Sequence, residues 1–274
     1  PSSPASTQFI NGIRKLVETD RENILLIGNA GSPTSNGKEV KRTMEMIRTD
    51  FEKRLVTLNT TYLDVLNIQY IQPEEDVQDT LDIIKEVNAW KMNGKVRYVM
   101  FSCHDFEWTA NMLELAYQQK LINNRNIDYA MLRYNMAHRS AEKKCFNLTQ
   151  LYNIPVLAFT TTRWNTLQAG HRDWDSNTKP VPNTADCISY AMTHPAVGGV
   201  INSIRTKSEL DNVMSNLWKA NVVGNDDGIA QKRLLFEEYG SLVYNKRDGI
   251  FDNMGTSQEK KQQQKTKKSV TSSL

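Results

Sequence analysis

The side chains able to do chemistry in this 274-residue chain gather where apolar runs stop. The run 96–101 ends at Ser102, Cys103, His104 and Asp105. A hydroxyl, thiol, imidazole and carboxylate in succession can bind, orient or exchange protons with a polar substrate, and the imidazole titrates nearest neutrality. His104 therefore has two readings, an orienting or proton-relaying group and a structural histidine. His138 and Arg139 open a helical stretch, where backbone N–H groups and a cation suit an anion; a capping or surface role is the alternative. Cys103, Cys145 and Cys187 are far apart and odd in number, with no CxxC. That pattern predicts neither a disulfide framework nor a metal centre, and it suits a reducing compartment.

Strand-end groups act together only if one sheet presents them. Apolar runs at 24–27, 63–71, 96–101, 129–132, 155–159 and 197–201 read as strands. Between them, apolar residues recur at helical spacing in 40–58, 74–93 (opening on the acidic Glu74, Glu75 and Asp76), 108–121, 141–152, 184–193 and 208–218. Gly28-Asn29-Ala30-Gly31 reads as the turn ending the first strand, 32–37 as a loop and 1–7 as a flexible lead. Alternation of this kind predicts an α/β fold with a parallel sheet, and continuous apolar strands predict burial on both faces. GxGxxG, which usually follows the first strand of doubly wound nucleotide folds, is missing. A β/α barrel, with its functional groups where strands end, is the expected architecture. Leu234, Leu235, Phe236, Tyr239, Leu242 and Val243 form one more amphipathic helix, either a layer packed on the barrel or a docking helix.

With 39% hydrophobic residues the chain can bury one substantial core. Its net charge of +3 owes much to Lys260, Lys261, Lys265, Lys267 and Lys268. Residues 1–245 are expected to form the barrel, and 246–274 a disordered basic, Gln-rich tail. No arginine-rich groove with interleaved aromatics supports nucleic-acid binding. No apolar run reaches the length of about eighteen residues needed to span a membrane. A cytoplasmic location is expected. Because the chain opens at Pro1, an organelle reached through a removed targeting segment is the alternative.

Several stretches, in order, resemble the aldo-keto reductase family. Thr61-Tyr62-Leu63-Asp64-Val65-Leu66 is similar to the opening of its fourth strand, and Gly94-Lys95-Val96-Arg97-Tyr98 to that of its fifth. The sixth is matched by Asp128 to Asn135 with Ala137-His138-Arg139, and the seventh by Pro155 to Thr160. The eighth strand and its phosphate turn resemble His194-Pro195-Ala196-Val197 and Val200 to Thr206. The likeness spans 9–217 and implies an aldo-keto reductase (β/α)8 barrel, incomplete at its N-terminal side and carrying an extra C-terminal helix. The family's first two strands supply a catalytic aspartate and the proton-donating tyrosine, and neither has a counterpart before Ile24. Either those units precede Pro1 or a protein partner covers the incomplete edge; the C-terminal helix is a second candidate surface for such a partner.

The resemblance implies NADP chemistry, and at several positions it also implies loss. Reducing a carbonyl requires a proton, normally from a tyrosine whose pKa a lysine lowers, while a histidine orients the carbonyl. Asn29 stands at the lysine position, and an amide carries no charge to favour a tyrosinate. Gln69 stands at the histidine position. Tyr70 could substitute as donor, but strand alternation points it opposite to Gln69. Ser102 matches the serine that holds the nicotinamide carboxamide, with Cys103 in place of an asparagine and Met131 in place of a glutamine. Phe159 matches the aromatic on which the nicotinamide stacks. Thr160, Thr161 and Thr162 are either pyrophosphate contacts or ordinary loop residues. Ser203 to Arg205 face the adenosine phosphates, with Lys207 adding charge. Glu209 replaces the arginine that clamps the 2′-phosphate, and Val213 an adenine-holding asparagine that a one-residue shift restores as Asn212. NADP binding is expected to be weakened or lost. Three functions follow: a catalytically degenerate barrel kept as a structural or regulatory subunit, an NADP-dependent aldehyde or ketone reductase whose first strands lie outside this sequence, and a non-catalytic nicotinamide-nucleotide sensor.

Overall fold

A computed structural model describes residues 4–32, 34–35, 38–39, 41–218 and 226–244. The expected tail, 246–274, lies outside the described residues. The chain divides into two compact units, one of 1–103 with 111–130 and one of 104–110 with 131–274.

The first unit opens with helix α1, Pro4–Asp20. Strand β1, Ile27–Ala30, follows, then a short antiparallel hairpin of β2, Thr34–Ser35, and β3, Lys38–Glu39. Next come α2, Met44–Leu58, strand β4, Leu63–Ile71, α3, Val77–Met92, and strand β5, Val96–Cys103. Helix α4, Phe106–Gln118, begins in the second unit and ends in the first. Strands β1 and β4 are parallel, as are β4 and β5. Every residue of β4 from Leu63 to Ile68 is buried, as continuous apolar strands of a covered parallel sheet require.

Where β4 begins, Asp64 is wholly buried and collects three donors. Its carboxylate accepts the Leu26 N–H at 2.9 Å and pairs with Arg21 at 2.7 Å and Arg97 at 2.9 Å. The two guanidinium groups also lie over the Tyr62 ring, 3.8 and 4.7 Å from its centroid. One carboxylate thus ties the segment after α1 to β4 and β5. At β1, α2 serves backbone groups outside the β4 ladder: Arg54 donates to the Asn29 carbonyl at 3.3 Å, and Asp50 accepts the Gly31 N–H at 2.8 Å. Charged side chains on such groups discourage pairing with a foreign strand.

Strand β6, Tyr129–Arg133, passes from the first unit into the second. The second unit continues with α5, Ser140–Lys144, α6, Phe146–Leu151, and β7, Val156–Phe159. It ends with α7, Thr184–Met192, β8, Val197–Val200, α8, Lys207–Asn216, and α9, Asp226–Val243. Its strands lie in the order β6-β7-β8, with β7 and β8 parallel.

Helix α9 is a packed layer of this unit. Phe236 and Tyr239 are fully buried, and Phe236 stacks on Trp218. Arg233 fastens the helix: it donates to Glu142 at 2.8 Å, Tyr134 Oη at 2.9 Å and Thr193 Oγ1 at 2.8 Å. Gly240 lets α9 approach a loop backbone, since a Cβ there would sit 2.1 Å from the Met136 carbonyl oxygen.

Three sequence expectations are corrected. Residues 1–7 are not all a loose lead, because α1 starts at Pro4 and turns Ile10, Ile13 and Val17 toward the protein at helical spacing. The first strand lies three residues later than 24–27. Leu25 is 74% exposed, whereas Leu26, Gly28 and Ala30 alternate inward. Gly28 is therefore a strand residue lying against Leu63, where a Cβ would come within 2.3 Å of Cδ1, and only Gly31 turns left-handed, at φ 68°. The single helix expected over 141–152 is interrupted at Cys145, giving α5 and α6.

Candidate active site

The first unit holds Asn29, Gln69 and Ser102. Asn29 lies within β1, in register with Asn67 of β4, and its Oδ1 accepts from Asn67 Nδ2 at 2.9 Å. Asn67 Nδ2 lies 3.5 Å from Ser102 Oγ, and that oxygen accepts the Tyr70 N–H at 2.8 Å. The expected lysine position thus carries an amide bonded to another amide. Arg42, just ahead of α2, is 4% exposed and committed elsewhere. It holds Glu75 through Nε at 2.8 Å and Nη2 at 2.9 Å, and also donates to the carbonyls of Gly31 and Tyr70. A guanidinium neutralised by a bidentate carboxylate supplies little field to stabilise a tyrosinate.

Tyr70 departs from the expected alternation. The register of β4 on β5 shifts between Ile68 and Ile71, and Tyr70 takes a left-handed φ of 57°. A bulge re-aims side chains, so strict strand alternation does not decide where Tyr70 points. Gln69 and Tyr70 are both half-buried. The amide of Gln69 does not titrate near neutrality.

The second unit holds the remaining candidates. His104 lies edge-to-face with Phe159, ring centroids 5.1 Å apart, so the expected nicotinamide platform shares its aromatic surface with an imidazole. Burial, and then the charge of Arg133, push His104 down to about 4. A neutral imidazole can accept or donate a hydrogen bond, but at pH 7 it holds no extra proton to give. His138 is 1% exposed and pushed lower still, to about 3, by burial and then by Arg133 and Arg163. Its ring nitrogen lies 3.3 Å from Asn135 Oδ1, and its ring packs edge-to-face with Tyr244, centroids 5.7 Å apart. That is a buried, wired-in histidine, not an anion site at a helix start; α5 has no side-chain cap from Arg139, which instead pairs with Glu237 at 2.6 Å.

The loop after β7 is held by Asn135, whose Nδ2 donates to the Thr160 carbonyl at 2.9 Å. Thr160 takes φ 57°, and Arg163, Trp164 and Asn165 are also left-handed. Thr161 and Thr162 are buried, and Arg163 donates to the Val243 carbonyl at 2.7 Å. Ser203 and Arg205 are exposed ahead of α8. Thr206 Oγ1 caps the Glu209 N–H at 3.1 Å, while the Glu209 carboxylate takes the Arg205 N–H at 2.7 Å. Asn212 is exposed and accepts from Asn216. No group of three metal-ligating side chains occurs among the described residues, and no described helix is long and apolar enough to cross a membrane.

Strand ends bearing these groups, in this chain order, agree with a family profile. The Aldo/keto reductase family model matches residues 11–185. The chain belongs to the aldo/keto reductase family. Its α/β fold, with parallel strands alternating with helices, is the β/α-barrel type of that family. Similar solved structures include aldo-keto reductase AKR11C1 from Bacillus halodurans in a holo form, at 15% identity and a TM-score of 0.63, covering 86% of this chain and 79% of that one. The apo form of the same protein matches at 16% identity and a TM-score of 0.58, covering 84% and 76%. No curated protein matches closely enough to count as a relative.

Within this aldo/keto reductase, reading from sequence missed Asn67, Arg42, Arg133 and Arg163. Asn67 and Arg133 lie inside strands, where period-two patterning marks a face but not a partner. The α8 cap had a visible signal: Thr206-Lys207-Ser208-Glu209 is the T-x-x-E of a capping box.

Proposed function

We propose that this aldo/keto reductase is catalytically silent and serves as a structural or regulatory subunit of a larger assembly. One observation carries the reading: the position of the family's lysine holds Asn29, bonded amide to amide with Asn67 at 2.9 Å. Carbonyl reduction needs a proton delivered as hydride arrives, and losing the responsible acid or base costs about 10²–10⁴-fold in rate. Gln69 in place of the histidine removes the orienting imidazole as well. His104 does not stand in for the proton donor, because burial holds its pKa at about 4 and leaves it neutral at pH 7. A weak or absent hold on NADP and a cytoplasmic setting belong to the same reading, which three buried cysteines suit.

The reading is tested by restoring what is missing. Asn29→Lys combined with Gln69→His is expected to leave NADPH-dependent aldehyde reduction at background. Groups that act as a unit are not recovered by restoring two of their members. Reductase activity in the double variant would show that the silence rests on these two side chains alone and that a proton donor is already in place.

A further inference from the structure

The start of α8 is the part of the expected nucleotide site where the family's arginine gives way to a carboxylate. Nothing there waits for an anion. Glu209 Oε2 accepts the Arg205 N–H at 2.7 Å, and Oε1 lies 3.3 Å from Arg205 Nη2. Thr206 Oγ1 caps the helix by accepting the Glu209 N–H at 3.1 Å. The Arg205 N–H, foremost, holds the Glu209 carboxyl below the usual carboxylate range. The Glu209 carboxylate already takes the N–H and the guanidinium that an anion arriving at this turn would use. The residues present do not fit a bound 2′-phosphate.

We propose that Glu209 is a built-in anion that excludes 2′-phosphorylated dinucleotides from the α8 turn. This rests on the silent-subunit reading and adds what that site rejects. An incoming phosphate has to displace a tethered carboxylate and then meets its negative charge, two costs that act together. The tether matters because an intramolecular group competes at high effective concentration, even though an exposed ion pair contributes little to stability by itself. The rejection is selective: a dinucleotide without the 2′-phosphate brings no group that contests Glu209.

The test compares the full-length wild type with Glu209→Ala and Glu209→Gln, titrated with NADPH and with NADH at low salt, using cofactor fluorescence and calorimetry. Glu209→Ala is expected to bind NADPH about tenfold or more tightly than wild type, as removing a like charge from a phosphate seat predicts. Glu209→Gln, which keeps an acceptor but no charge, should fall between. The gain should shrink as salt rises, and NADH affinity should barely move. Equal NADPH affinity in wild type and Glu209→Ala would overturn the proposal, as would an equal gain for NADH. Far-UV circular dichroism and an unchanged unfolding midpoint show that the variants remain folded; the capping loss falls on an exposed helix end. Wild-type carbonyl reduction would defeat the silent-subunit reading without touching this comparison, and equal affinities would defeat the exclusion without restoring catalysis.

Discussion

Asp64→Ala is expected to be the most damaging single substitution in the first unit, lowering stability by about 3–5 kcal/mol, the range for removing one partner of a buried ion pair. The carboxylate is fully buried and serves Arg21, Arg97 and the Leu26 N–H. Arg97 is half exposed and can turn to water, so most of the loss comes from Arg21, 13% exposed, and from the unpaired N–H. Against a total stability of about 5–15 kcal/mol, such a loss leaves a sizeable unfolded fraction. Asp64→Asn keeps an acceptor for Leu26 and should cost less than Ala. Urea unfolding provides the check: a midpoint far below wild type with unchanged slope is expected. A shift worth less than about 1 kcal/mol, the scale of an exposed ion pair, would mean that the cluster is surface electrostatics.

Mild acid should destabilise the second unit, through two histidines kept neutral by burial. His104 and His138 have pKa values pushed down to about 4 and about 3. In the unfolded chain an imidazole takes its proton near 6.5. Above that pH neither state is protonated, and the full stability is present. As pH falls below it, the unfolded state binds protons that the folded state refuses, so stability declines until the folded pKa is reached. At about pH 5 each histidine contributes a loss of roughly 2 kcal/mol by this linkage. Unfolding midpoints compared at neutral pH and about pH 5 should therefore fall steeply in wild type and less steeply in His138→Gln. Parallel pH slopes for the two proteins would show that His138 is not held neutral.

The order of elements was legible because the period of the apolar residues changes between strand and helix, and Leu63–Ile71 was placed to the residue. The first strand was misplaced because Ile24, Leu25 and Ile27 are apolar yet partly exposed, while Gly28 and Asn29, which read as a turn, are strand residues. The expected replacement of the lysine by Asn29 and of the histidine by Gln69 was read only through the family resemblance. What the sequence could not show is where hydrogen bonds go. Asn67 meets Asn29 only because β1 and β4 lie in register, and Arg42 meets Glu75 across thirty-three residues of chain. The bulge at Tyr70 was likewise hidden, because a left-handed tyrosine carries no compositional mark. The helix cap at Thr206 was readable from its T-x-x-E spacing, but it was passed over because Glu209 was weighed only as a substitute for an arginine.

The most direct test of catalytic silence is a turnover assay: purified full-length protein with excess NADPH and 4-nitrobenzaldehyde, followed by loss of NADPH absorbance. Oxidation no faster than in the protein-free control is expected. Protein-dependent oxidation that disappears in Phe159→Ala would contradict the account, because it would mean that a nicotinamide stacks on Phe159 and that a proton still reaches the carbonyl without the lysine.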